Sequence, residues 1–426
     1  MRKCFFTLSM LAITAGVFAQ AYTARVLVLN EGYYDYLADS ILVPVSIGAY
    51  NPATGVYTTI DEVEGARFAS DVVIDGDAYF VAADHALLKY DLLTDMLLDE
   101  ADVAGIRKIA VSGDYLVVTR GEYLVDLPSY IQVYDRTNLE LIFEISSDVL
   151  PYTTEGVTIQ DNLAYVAVNN GFVFGSEVGK IVVVDLNTQE IIQTVELGAD
   201  GINPDNLMIE GDYIYTLNNK DFTGSSVSAY RLTTGDLSTT NLMNISSGCG
   251  TSAINSGTIY YQEMFGTTLS RFDAATQSIV GEDEVSLSFY GLGFDPVSGN
   301  MYASETDYFS YGKVHVYNSD LEEIAVFNAG VSPGTFAYDV RLTTAVDNAD
   351  KAIFTAYPNP VVDVLHVSGV NAQDVIFIRD ITGKQVMEMR AADNNTLDLP
   401  VQFLPSGMYT ITVASQQASY TQTFIK

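Results

Sequence analysis

Side chains able to do chemistry are few and scattered in this sequence. It has three histidines, His85, His315 and His366, and two cysteines, Cys4 and Cys249. Such spacing builds neither a histidine cluster nor a zinc site. There is no Gly-x-Ser-x-Gly elbow and no phosphate-binding Walker loop. Gly248-Cys249-Gly250-Thr251-Ser252-Ala253 imitates a dinucleotide fingerprint, but no helical pattern follows it, so it reads as a loop between repeats. Cys249 then reads as a small buried residue. What remains are amides, carboxylates and aromatics placed just after hydrophobic runs: Asn30, Glu31, Tyr33 and Tyr34, then His85, then Arg120 and Tyr123. Asn170 and Phe172, Asn219 and Phe222, Phe265 and Tyr308 continue the series. Flat rings supply contact area and amides supply orienting hydrogen bonds, which suits a binding face for a large, partly apolar ligand. No acid–base pair stands out, so the expectation is a binding protein without cofactor or catalytic residues. A calcium-dependent hydrolase is a further alternative, with Glu31, Asn169, Asn206 and Asn218 as oxygen donors.

Short β-branched and aromatic runs carry these residues, and long amphipathic helical patterns are absent. One unit recurs: a strand ends in an aromatic or apolar residue, then usually Asp or Asn, then a turn that usually contains Thr. It occurs at Tyr50-Asn51, Tyr90-Asp91, Tyr134-Asp135, Val184-Asp185, Tyr230-Arg231, Phe272-Asp273 and Tyr317-Asn318. The spacing of 40 to 50 residues fits four short strands per repeat. Hairpin signals such as Asp75-Gly76-Asp77, Ser112-Gly113-Asp114 and Glu210-Gly211-Asp212 precede these strand ends. The first repeat lacks an inner strand and begins directly at Arg25-Val26-Leu27-Val28-Leu29. A matching orphan, residues 336–342, follows the seventh repeat and resembles Phe68-Ala69-Ser70-Asp71-Val72-Val73. The expectation is an all-β seven-bladed propeller over residues 20–343, in which 336–342 complete the first blade.

Residues 1–19 read as a secretory signal, with Arg2 and Lys3 before an apolar stretch and Val17-Phe18-Ala19 at its end. No later run of about 20 apolar residues could span a membrane. The formal charge of -34 repels nucleic acid and anionic membranes. Residues 344–353 read as a linker, and the chain is expected to be monomeric. Residues 354–426 read as a small immunoglobulin-like β-sandwich.

Tyr357-Pro358-Asn359-Pro360, the turn Asp380-Ile381-Thr382-Gly383-Lys384 and Leu404-Pro405-Ser406-Gly407-Met408-Tyr409 resemble the C-terminal sorting domain of type IX secretion. That resemblance implies contact with the type IX machinery and passage across the outer membrane of a Bacteroidota-type bacterium. It also implies loss of the domain, followed by surface attachment or release. Val133-Tyr134-Asp135 and Val183-Val184-Asp185 resemble the strand ends of YncE-like, surface-layer-type propellers. More narrowly, Val28-Leu29-Asn30-Glu31-Gly32 resembles the opening of a Bacteroidota propeller family whose members include the cobalamin-capturing surface protein BtuG. This second resemblance covers roughly residues 24–342. It implies capture of a corrinoid for a TonB-dependent outer-membrane transporter. That binder is a lipoprotein, whereas this chain has no lipid-attachment cysteine, so a protein- or glycan-binding adhesion scaffold is the alternative.

Overall fold

The computed structural model describes residues 20–222, 224–242, 247–263, 265–343, 354–370, 372, 374–380, 384–391, 395–414 and 419–426. The expected signal, residues 1–19, and the linker, 344–353, lie outside them. The chain divides into two compact units, Tyr22–Arg341 and one holding Leu342–Lys426.

Among the described residues, the larger unit consists of seven four-stranded antiparallel sheets and one two-stranded ribbon, Tyr33–Asp35 with Ser40–Val43. Turn chemistry sets each strand end. Asp91 Oδ1 accepts the amides of Leu93 and Thr94, at 3.0 and 2.8 Å, and the Thr94 hydroxyl at 2.8 Å. Asp185 Oδ1 accepts the amides of Asn187 and Thr188, and Asp273 binds both the amide and the hydroxyl of Thr276. These bonds hold the Asp91 and Asp273 carboxyls below the usual carboxylate range. The Tyr230-Arg231 repeat lacks the acid, and Asp212 of the neighbouring hairpin takes over, accepting the Thr233 amide and its hydroxyl.

Burial grades across each sheet. The second strand is buried on both faces, as in Ala78–Ala83, Tyr115–Arg120 and Leu163–Val168. The fourth strand is mostly exposed, as in Leu97–Asp102 and Ser278–Glu284. Apolar clusters sit between successive sheets. Leu27, Val72 and Tyr79 join the first to the second, and Phe80, Leu116 and Tyr134 join the second to the third. The series runs on through Val117 and Val166, Ile181 and Ile214, Tyr215 and Ile259, and Leu269 and Met301. The last cluster, with Val28, Tyr50, Tyr302 and Phe327, joins the seventh sheet back to the first. The sheets therefore form a closed ring. Each fully buried Val, Leu or Phe in it contributes about 1.5–3 kcal/mol over exposure.

Closure rests on the first sheet, whose order is Pro333–Leu342, Ala21–Asn30, Val45–Asn51, Val56–Val63. The chain's last ring strand thus lies beside its first. Asn30 is fully buried at this seam. Its Oδ1 accepts the Gly330 amide at 2.9 Å, and its Nδ2 donates to Ser46 O at 3.0 Å and Tyr57 Oη at 3.1 Å.

The smaller unit has a three-stranded sheet, Thr355–Tyr357, Val364–Val370 and Asn395–Pro400, and a four-stranded one. The latter runs Gln385–Arg390, Val375–Asp380, Met408–Ala414, Ser419–Ile425. Leu365, Leu399, Ile378, Ile411 and Phe424 form the shared core.

The seam makes a prediction. Asn30→Ala leaves the Gly330 amide and the Ser46 carbonyl without this partner. It should lower the unfolding free energy by about 2 kcal/mol, read as a lower urea midpoint at unchanged slope. An unmoved midpoint would show that the seam does not depend on Asn30.

Candidate functional site

The innermost strands of all seven sheets face one cavity of about 640 Å³. Several of these strands carry a β-bulge where they reach it. The register shifts between Ala69 and Asp71, Ile106 and Ile109, Thr154 and Val157, and Pro204 and Asn206. A bulge re-aims side chains, and here it sets Asp71, Arg107, Lys108, Glu155 and Asp205 along the cavity wall. Gly156 permits the tight fit of the innermost strands of the fourth and fifth sheets: a Cβ there would sit 2.7 Å from Asp205 O and Leu207 N.

The wall is an ordered network. Arg107 forks onto Glu155, with Nε–Oε2 at 3.0 Å and Nη2–Oε1 at 2.9 Å, and lies 5.1 Å from the Phe172 ring centroid. Arg67 forks onto Asp84 at 2.8 and 2.6 Å and reaches Glu122 at 3.1 Å. Lys108 Nζ donates to Ser70 O at 2.6 Å. Asp71 accepts the amides of Val72 at 3.1 Å and Ile109 at 3.0 Å. Glu31 accepts a short bond from the Tyr290 hydroxyl. Burial pushes the Glu31 carboxyl above the usual carboxylate range, opposed by the Tyr290 bond and by the fields of Lys108 and Arg107. Burial also raises Asp71, with Lys108 opposing and Glu155 reinforcing.

Of the residues singled out in the sequence, Glu31, Tyr123, Phe172 and Asn206 line this cavity. Tyr308 packs edge-on against the lining Tyr290, with centroids 5.4 Å apart. Tyr123, Phe174 and Phe222 form an exposed aromatic chain with centroid steps of 6.1 and 5.9 Å. Phe222, Phe265 and Tyr308 hold the left-handed backbone, at φ 63°, 62° and 70°, an unfavourable region for bulky side chains. Tyr33 packs on Phe309, and Tyr34 packs on Tyr36 and bonds Asp39. His85 is exposed beside Asp102.

Four residues expected on the binding face are turned to structural use. Asn30 is consumed at the seam. Arg120 is buried, and its guanidinium donates to Ala104 O, Ser129 O and Ser129 Oγ, each at 2.8 Å. Asn170 is buried and donates to Ser176 O, and Asn219 is buried with Nδ2 directed at Asp205. Each sits at or just after the buried end of a second strand, so its side chain closes hydrogen bonds within the packed interior. Of the oxygen-donor set, Glu31 and Asn206 line the cavity, whereas Asn169 and Asn218 are buried outside its lining. Asn218 spends its amide on Ser226, Ser228 and Thr216, and Asn169 Oδ1 accepts the Gly171 amide.

In the smaller unit, Tyr357-Pro358 and Asn359-Pro360 are cis peptides. Asn359 Oδ1 accepts the Ile425 amide at 2.9 Å. Gly407 exchanges backbone bonds with Lys426 at 3.0 and 2.9 Å, and Tyr409 is buried, donating to Pro405 O at 2.8 Å. The expected motif pieces thus meet on the final strand. Gly383 lies outside the described residues.

Comparison with known proteins places both units. Residues 355–426 match the family of secretion system C-terminal sorting domains. The chain therefore engages type IX secretion and is exported to the cell surface or the extracellular space. No curated protein matches the sequence. Among solved structures, it resembles a hypothetical selenium-binding protein from Sulfolobus tokodaii, at 10% identity and TM-score 0.55. That match covers 75% of this chain and 94% of the other. It also resembles a quinoprotein alcohol dehydrogenase-like protein from Bacteroides thetaiotaomicron VPI-5482, at 14% identity and TM-score 0.55, covering 75% and 79%. At such identities the likeness is one of fold: the ring is a β-propeller. Among the described residues, no helix is long and apolar enough to cross a membrane.

The cavity carboxyls have a stability signature. A raised folded-state pKa contributes stability that is complete below the unfolded pKa and is lost as pH rises through the folded one. At neutral pH the charged forms of Glu31 and Asp71 therefore oppose folding. Glu31→Gln should raise Tm by about 2 °C near pH 7.5, and the gain should vanish near pH 4. Lower Tm values at pH 7.5 would contradict this account of the cavity.

Proposed function

We propose that this protein is a non-enzymatic, cell-surface capture protein that binds a large ligand at the mouth of its axial cavity. The observation that carries the reading is the pairing of a roughly 640 Å³ polar cavity with exposed rings around it. Tyr36, Tyr123, Phe174 and Phe222 offer flat apolar area, and the wall below offers fixed charges and hydrogen bonds. In this reading the ring is a seven-bladed propeller of the YncE-like type and acts as a monomer, and the smaller unit is an immunoglobulin-like sandwich. The ligand class is a corrinoid, on the strength of the Val28-Leu29-Asn30-Glu31-Gly32 resemblance, and the receiving partner is a TonB-dependent transporter. The aromatic chain Tyr123–Phe174–Phe222 favours a second reading, adhesion to a protein or glycan.

Calorimetric titration with cyanocobalamin tests the first reading. Binding at micromolar or lower Kd is expected, weakened roughly tenfold by a Tyr36→Ala, Tyr123→Ala pair. Absence of binding at micromolar protein would reject the corrinoid and favour adhesion.

A further inference from the structure

The capture reading leaves open the charge of the group that enters the cavity. Five carboxylates line it, from Glu31, Asp71, Glu122, Glu155 and Asp205, against three cations, Arg67, Arg107 and Lys108. The guanidiniums are engaged already: Arg67 by Asp84 and Glu122, Arg107 by Glu155. They also lie over rings of the wall, Arg67 at 5.6 Å from the Phe68 centroid and Arg107 at 5.1 Å from that of Phe172. Lys108 donates to a backbone carbonyl.

Glu31 and Asp71 are in a different position. Their bonds come from one hydroxyl and two amides. Among the described residues, neither has a Lys, Arg or His nitrogen within 4.0 Å. Both feel Lys108 only through space, as Glu31 does Arg107. An enclosed carboxylate gains most from a partner that brings positive charge and N–H donors. Tyr36 and Tyr123 add ring faces, which attract cations, at the mouth. The chain's -34 charge extends the same preference outward. An anion would meet five carboxylates and compete with formed guanidinium pairs.

We propose that the axial cavity takes an ammonium group of its ligand, recognised by the Glu31 and Asp71 carboxylates with Tyr36 and Tyr123 at the mouth. This assignment rests on the cavity being the capture site, and it favours an amine-bearing ligand over a corrinoid, whose phosphodiester is anionic. Three probes with one body and three charge states test it on the full secreted chain by calorimetry at low salt: 2-phenylethylamine, 2-phenylethanol and phenylacetate. The amine is expected to bind at one site, at least about tenfold tighter than the alcohol, with phenylacetate giving no saturable heat. Glu31→Gln and Asp71→Asn should each weaken the amine by roughly fivefold or more. Glu100→Gln, on an exposed outer strand, should leave it unchanged. Two independent variants guard against one that folds poorly. Equal binding of amine and alcohol, or preferred binding of phenylacetate lost in Lys108→Met, would overturn the ammonium assignment while leaving the cavity as the capture site. Failure of all three probes at millimolar concentration would overturn the ammonium assignment, and the capture reading would stand or fall by the cyanocobalamin titration.

Discussion

The pairing of Pro333–Leu342 with Ala21–Asn30 is the contact on which the rest of the molecule depends. Without it the first sheet lacks its innermost strand and the ring has two open edges, which are templates for unwanted pairing. With it, the seventh and first sheets share the cluster of Val28, Tyr50, Tyr302 and Phe327, in which Tyr50 and Phe327 stack at 4.0 Å. The cavity follows from closure. Seven innermost strands converge only because the last sheet is returned to the first, and Glu31 bonds Tyr290 across that seam.

The site and the scaffold divide the strands between them. Second strands are mostly packed on both faces, as in Ala78–Ala83 and Tyr115–Arg120, and offer few side chains to a ligand. Innermost strands have one face on an apolar cluster and one on the cavity, and their bulges let charged residues occur inside otherwise apolar runs. Ile106-Arg107-Lys108-Ile109 shows both demands: the isoleucines are buried and the cations face the wall. Such charges cost desolvation, and the network answers with forks such as Arg107–Glu155 and Arg67–Asp84.

The local chemistry of the turns was legible because it is written in adjacent residues: Asp91 and Thr94, Asp185 and Thr188, Asp273 and Thr276. The strand Pro333–Leu342 was legible through its likeness to Phe68–Val73, a match of pattern across the chain. The cavity wall was not. Sequence reasoning looked to the loops after second strands, where Asn30, Arg120, Asn170 and Asn219 are polar and conspicuous. Packing turned those side chains inward, and pattern alone does not show whether an amide at a strand end meets water or a backbone carbonyl. A signal did exist in the polar and charged pairs that interrupt inner strands, such as Arg107-Lys108 and Asp205-Asn206. Only the bulges, which depend on pairing with the next strand, decide where those charges point.

Seven interfaces closed into a ring have a consequence for lifetime outside the cell. In an open row of sheets, an end sheet peels away once one interface fails. In a ring, every sheet has two neighbours, so releasing any block requires two interfaces to fail together. The barrier to opening then rises faster than the equilibrium stability of any one interface would suggest. For an exported protein beyond the reach of chaperones, that slow opening sets how long it survives among proteases.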